Sequence, residues 1–146
     1  MAADNAYLNM KMQGWANLKG IELVMLAVGA VIGVLLRYKL VESPVVLGGL
    51  QVNVLIVNVL GSFLLGLFSV LAFALNLDVK YSLLVAVGFC GSLTTMSSFA
   101  LETSNLLDNH RFILVAVNIL ANVGLSLGAV IGGRVIGDLV LEKMLQ

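Results

Sequence analysis

The stretch from Tyr81 to Glu102, YSLLVAVGFCGSLTTMSSFALE, decides how the chain is read. Between Lys80 and Glu102 it holds 21 residues without a charge. A helix crossing a hydrocarbon core needs about 20 apolar residues, so the run is long enough to span. Its middle is unlike that of a plain helix. Gly88, Gly91, Ser92, Thr94, Thr95, Ser97 and Ser98 crowd together there. Spaced glycines and consecutive hydroxyls favour a local break. A break at membrane depth is tolerated only where the freed backbone is buried or lines a cavity. Freed carbonyls can coordinate a cation, and half-helix N-termini favour anions. The alternative is a continuous helix whose hydroxyls bond back to its own carbonyls.

The flanking sequence repeats the membrane signal. Uncharged runs of 35 residues (Glu42 to Asp78) and 22 residues (Arg111 to Arg134) each suffice for a span. A shorter run of 14, between Glu22 and Arg37, is fully apolar and predicts a helix that carries Arg37 inside the membrane or near its edge. The expected helices are about 21–40, 47–75, 81–106 and 111–138, one four-helix transmembrane domain over 21–146. Loops are expected around Val41–Leu47, Asn76–Lys80 and Leu107–His110. Residues 1–20 form a polar segment with no assigned role, in which Trp15 reads as an interfacial anchor. No small-residue cleavage site follows the first apolar stretch, so it is not read as a secretory signal.

Composition agrees. Of 146 residues, 60% are hydrophobic and 11% charged, against about 45–50% and 25% in soluble domains. Eight Lys+Arg balance eight Asp+Glu, which leaves no net charge to attract nucleic acid. No nucleophile–base pair, phosphate loop or metal-ligand spacing supports an enzyme. Cys90 reads as a small buried residue, His110 as a loop residue, and Asp78 with Lys80 as a solvated turn. Phe63, Phe68, Phe73 and Phe89 read as packing or lipid-facing residues.

Polar groups inside a membrane helix usually face the protein interior. Gln51, Asn58, Ser62 and Ser69 fall on one side of the second helix, with Asn53 pointing elsewhere, toward the interface. Asn118, Asn122 and Ser126 recur every four residues along the fourth. Two such stripes suggest a polar track, the blander reading being interhelical hydrogen bonds. Gly29–Gly33, and Gly124, Gly128 and Gly132, make small-xxx-small faces that predict an oligomer, most simply a dimer. Four helices put both termini on one side, with Lys11, Lys19, Lys80, Lys143 and Arg134, opposite Lys39, Arg111 and Arg37. That bias is small, so insertion in both orientations is expected.

The segment GFCGSLTTMSSFALE resembles the signature of the Fluc (CrcB) fluoride channels, GFCGG-hydrophobic-TTFSTF followed by Glu. GAVIGVLLRY (29–38) looks like that family's first-helix pattern, and VNVLGSFLLG (57–66) looks like its second-helix motif. The Asn118/Asn122 spacing is similar to a fourth-helix variant. The resemblance implies an all-α membrane protein in the cell membrane, with the third helix broken mid-membrane. It implies a dual-topology antiparallel dimer with two passive fluoride pathways and a central structural sodium ion. Its partner would be an inverted copy of itself or a homologous chain. By position, Gly91 and Thr94 would offer backbone carbonyls to sodium. Asn58 would be the pore amide and Phe99 the second pore ring. Arg37 would sit at the mouth and Glu102 would face the anion route. Asn118 and Asn122 would line the fourth-helix side, with Thr95, Ser98, Ser62 and Ser126 supplying hydroxyls.

Hydroxyls and amide NH₂ groups are donors that can replace a fluoride ion's water. They do so without a fixed charge that would hold it; conduction needs entry and exit both. A Phe ring adds a positive edge. Met96 departs from the pattern, standing where the family has its first pore Phe. It leaves one ring per pathway, slower or less selective conduction, or a second chain that supplies the ring. Ser92 for Gly and Ser98 for Thr are expected to be mild. Two rivals remain. A small multidrug-type antiporter would need a membrane-embedded Glu in its first helix, where the only candidate is Glu22, at the start of the apolar stretch. A structural membrane subunit would carry no flux. Neither needs Gly91–Thr95.

Overall fold

The computed structural model describes residues 19–144. Trp15, Lys11 and most of the 1–20 segment lie outside the described residues. Four helical segments are long and apolar enough to cross a membrane: Gly20–Glu42, Asn53–Ala74, Val79–Asp108 and Phe112–Met144.

The first is α1 (Gly20–Glu42). It ends at Ser43 and Pro44, where the ring removes a donor and biases the preceding residue out of the helix. The second expected helix starts later than position 47. Strands β1 (Val46–Leu47) and β2 (Leu50–Gln51) form an antiparallel hairpin first, with Val46 opposite Gln51 and Leu47 opposite Leu50. Gly48 and Gly49 turn it at φ 60° and 91°. Two left-handed residues in a two-residue loop match the twist of the strands, and glycine reaches that region without steric cost. Gln51 therefore belongs to a hairpin, not to a helical stripe.

Helix α2 (Asn53–Ala74) follows. Asn53, expected at the interface, is buried at 7% exposure. Its amide donates to the Leu40 and Ser43 carbonyls, and its oxygen accepts the Val45 N–H. It ties the end of α1 to the start of α2 by satisfying three backbone groups that would otherwise lack partners.

The third segment starts with the turn α3 (Val79–Ser82), capped by Asp78, whose side chain accepts the Lys80 N–H. It continues through a π-helical stretch, Leu83–Cys90, into α4 (Gly91–Leu93). Thr94 and Thr95 then leave helical geometry, at φ/ψ of −75°/153° and −148°/112°. Helix α5 (Met96–Asp108) resumes with the Thr95 hydroxyl accepting the Ser98 N–H at its N-cap. A tight turn through His110, at φ 55°, leads into α6 (Phe112–Met144). At 33 residues α6 is about 50 Å long and outlasts the expected end at 138.

Apolar helices in lipid gain little from hydrophobic burial against each other and associate through close packing. Here α1 lies along the π-helical stretch and α2 along α6. A Cβ on Gly29 would run into the Leu84 carbonyl, and one on Gly66 into the Val130 carbonyl. Val54, Val57, Cys90 and Leu93 form the fully buried core, close to the Thr94–Thr95 interruption. Large apolar side chains cover the outside, Phe73 and Ile113 at 90% and 80% exposure among them.

Candidate functional site

The interruption at Thr94–Thr95 organises the polar residues. In a continuous helix the Thr95 N–H would bond the Gly91 carbonyl. Here it goes to Asn58 Oδ1 on α2, at 2.8 Å. The Ser98 N–H, whose helical acceptor would be the Thr94 carbonyl, goes to Thr95 Oγ1 at 3.2 Å. The carbonyls of Gly91 and Thr94 thus lose their helical donors. Arg37 Nη1 reaches the Thr94 oxygen from α1 at 3.4 Å. Two such oxygens are hard donors of the kind that suits an alkali cation.

From Asn58 the hydrogen bonds run on across three helices. Asn58 Nδ2 donates to Asn122 Oδ1 at 3.1 Å. Asn122 Nδ2 donates to Asn118 Oδ1 at 2.9 Å. Asn118 Nδ2 donates to Thr103 Oγ1 at 3.0 Å, and the Thr103 hydroxyl donates to the Phe99 carbonyl at 2.8 Å. The chain starts at Thr95 and returns to the same segment at Phe99. Thr95, Asn118 and Asn122 are 4–5% exposed. Polar groups buried this deeply must find partners, and these find one another.

This relay forms a wall between two cavities. One, of about 290 Å³, is lined by Asn58, Ser62, Thr95, Met96, Phe99, Asn122 and Ser126, with Gly91, Thr94 and Cys90. The Ser126 hydroxyl oxygen is buried there without a hydrogen-bond partner among the described residues. The other, of about 230 Å³, is lined by Glu102, Asn118, Gln51, Asn105, Asn109 and Arg111. In the first cavity, Phe99 is 7% exposed and Met96, on the rim, 73%.

Most of the expected residues meet in the first cavity. Glu102 and Asn118 line the second. Arg37 and Ser98 line a third of about 300 Å³ beside Tyr38 and Glu42, and Ser98 touches the relay through Thr95 Oγ1 at 3.1 Å. Ser69 faces none of these; its hydroxyl donates to the Gly66 carbonyl of its own helix. Glu22 accepts the Lys19 N–H at the first turn of α1. That is the place of a capping carboxylate, not of a membrane-embedded proton site.

Sequence reading missed Thr103, and placed Ser97 in the hydroxyl cluster without a site role. Ser97 Oγ lies 3.1 Å from Thr95 Oγ1. A signal for Thr103 existed: it stands seven residues before His110 and Asn118 stands eight after. Positions about equally far from a tight helix–helix turn face one another.

The family model described as "CrcB-like protein, Camphor Resistance (CrcB)" matches residues 24–134. A Nitrosopumilus maritimus protein named "Fluoride-specific ion channel FluC" is 56% identical over 126 residues, 86% of this chain and 100% of that one. Proteins of the same name from Sulfurihydrogenibium sp. and Methanocaldococcus jannaschii are 42% and 37% identical. They align over 84% and 79% of this chain, and 97% and 93% of their own lengths.

Proposed function

The chain belongs to the CrcB family, and from that premise we propose that it is a fluoride-selective channel that lets the ion leave the cell passively. It is a membrane channel rather than an enzyme. The observation that carries the reading is the donor-rich wall of half-buried Asn58 and buried Thr95, Asn122 and Asn118, where an ion would have to shed water.

Fluoride moves past the Asn58 and Asn122 amides, the Ser62, Thr95 and Ser126 hydroxyls and the Phe99 ring edge, toward Asn118 and Glu102. Ser98 supports the Thr95 hydroxyl, and Arg37 lies at the mouth. Each donor replaces a water without adding a fixed charge. Chloride, being larger, would find its shell incompletely replaced.

Two copies in inverted orientation complete the pathways, in the plasma membrane. Among the described residues, nothing beyond the adjoining backbone of α6 lies within 4 Å of where a Cβ on Gly124, Gly128 or Gly132 would stand, which leaves a small-residue face of α6 open for a second helix. The exposed rim position of Met96 suits a contact across copies, and a homologous chain with Phe there could supply the missing ring. The Gly91 and Thr94 carbonyls, freed of helical donors, would hold a structural sodium ion between copies. Bound there, it would neutralise the oxygens of two broken helices.

Fluoride efflux from liposomes holding only this chain tests the reading, beside a matched chloride assay. Fast fluoride loss without chloride loss is expected. No fluoride loss from a folded dimer would overturn the homodimer and leave a second chain to be sought.

A further inference from the structure

We propose that Thr103 is a positioning residue: it sets the sense of the asparagine relay and so the direction in which amide N–H groups meet the ion, resting on the channel reading above.

At one end, the Thr95 backbone N–H can only donate, so Asn58 presents Oδ1 to it. That turns Asn58 Nδ2 toward Asn122 Oδ1, and Asn122 Nδ2 toward Asn118 Oδ1. The far end then needs a group that accepts from Asn118 Nδ2 and holds it in that sense. Thr103 supplies the anchor. The Phe99 carbonyl can only accept, and it takes the single hydroxyl proton of Thr103 at 2.8 Å. While that proton is held there, the Thr103 oxygen is left as an acceptor, and Asn118 faces it with Nδ2 at 3.0 Å.

Both ends therefore impose one order on three amides. A single reversed amide would set oxygen against oxygen or nitrogen against nitrogen, and Asn118 and Asn122 are too buried for water to repair it. In the observed order each asparagine commits one N–H along the relay and keeps a second on the same nitrogen. For Asn58 and Asn122 the second N–H makes longer contacts, 3.4 Å to the Thr95 carbonyl and 3.2 Å to the Asn118 carbonyl. These are the protons an anion can take. A reversed amide would offer it an oxygen instead.

The test is fluoride efflux from liposomes holding Thr103→Val, Thr103→Ser, Asn118→Leu or the Thr103→Val/Asn118→Leu double variant. Removing the hydroxyl should slow efflux about tenfold, and keeping it in serine should hold the rate within about twofold. The double variant should be no slower than Asn118→Leu alone, because both changes break one relay. Wild-type efflux from Thr103→Val, equal impairment of Thr103→Ser, or additive losses would each overturn the proposal. If Thr103→Val does not purify folded, Thr103→Ala removes the same hydroxyl without adding bulk. A wild-type chain that passes no fluoride would instead overturn the homodimeric channel on which the proposal rests.

Discussion

Asn58 on the second span takes the backbone N–H of Thr95 on the third at 2.8 Å, and so replaces a helical hydrogen bond by a bond between helices. The interruption of the third span and the anchoring of the Asn58 amide are one event. Neither would persist alone. A freed N–H in lipid is costly, and an unanchored asparagine would turn.

Asn58→Leu should therefore lose both. The Thr95 N–H is left without its acceptor, at a cost of about 1–3 kcal/mol. Fluoride efflux should fall by more than about tenfold, with a lowered unfolding temperature in detergent. Unchanged efflux would remove Asn58 from the pathway.

Met96→Phe should raise fluoride flux. Methionine has a polarizable sulfur but no ring edge, and position 96 lies on the cavity rim. Efflux from matched liposomes reads the change. An equal or lower rate would mean that the ring plays no part in conduction here.

Gly29→Leu should prevent α1 from closing on the π-helical stretch. The new side chain meets the Leu84 backbone, which cannot give way as a flexible side chain could. Overpacking of this kind costs about 1–3 kcal/mol or more. Gel filtration should show loss of the monodisperse protein, while Gly124→Ala should leave the fold of one chain intact.

Asn53→Ala should loosen the 43–52 connection while leaving the spans in place. Three backbone groups lose their partner at once, so protease cleavage in the hairpin should quicken at least about tenfold. A cleavage rate like that of wild type would deny Asn53 its role as a tie.

Asp78 gives a pH dependence. The Lys80 backbone N–H, and then the Lys80 charge, hold its carboxyl below the usual range. A depressed pKa means stability present above the unfolded value and lost as pH falls through the folded one. Hydrogen exchange at the start of the third span should be faster in Asp78→Ala than in wild type near neutrality. The two should converge in acid.

The four spans were legible because charge is so scarce that each uncharged run reads directly as a length. The asparagine stripe on the fourth span was legible from a four-residue repeat. The Val46–Gln51 hairpin was not, because its residues are as apolar as those of the helix expected there; only the paired glycines mark it. Asn53 was misplaced because helical phase says which way a residue points and not what awaits it. Here the end of α1 awaited it.

Composition, uncharged run lengths and the motif around Gly88–Glu102 determined, by themselves, a membrane protein of four helical spans and its family. They could do so because the bilayer penalises charge residue by residue, whatever the tertiary arrangement. Which asparagine meets which, and in what sense, was decided by packing. Asn58 and Asn122 stand 64 positions apart, and they touch because α2 lies along α6. Their order is set by two backbone groups, the Thr95 N–H and the Phe99 carbonyl, whose only freedom is to donate or to accept.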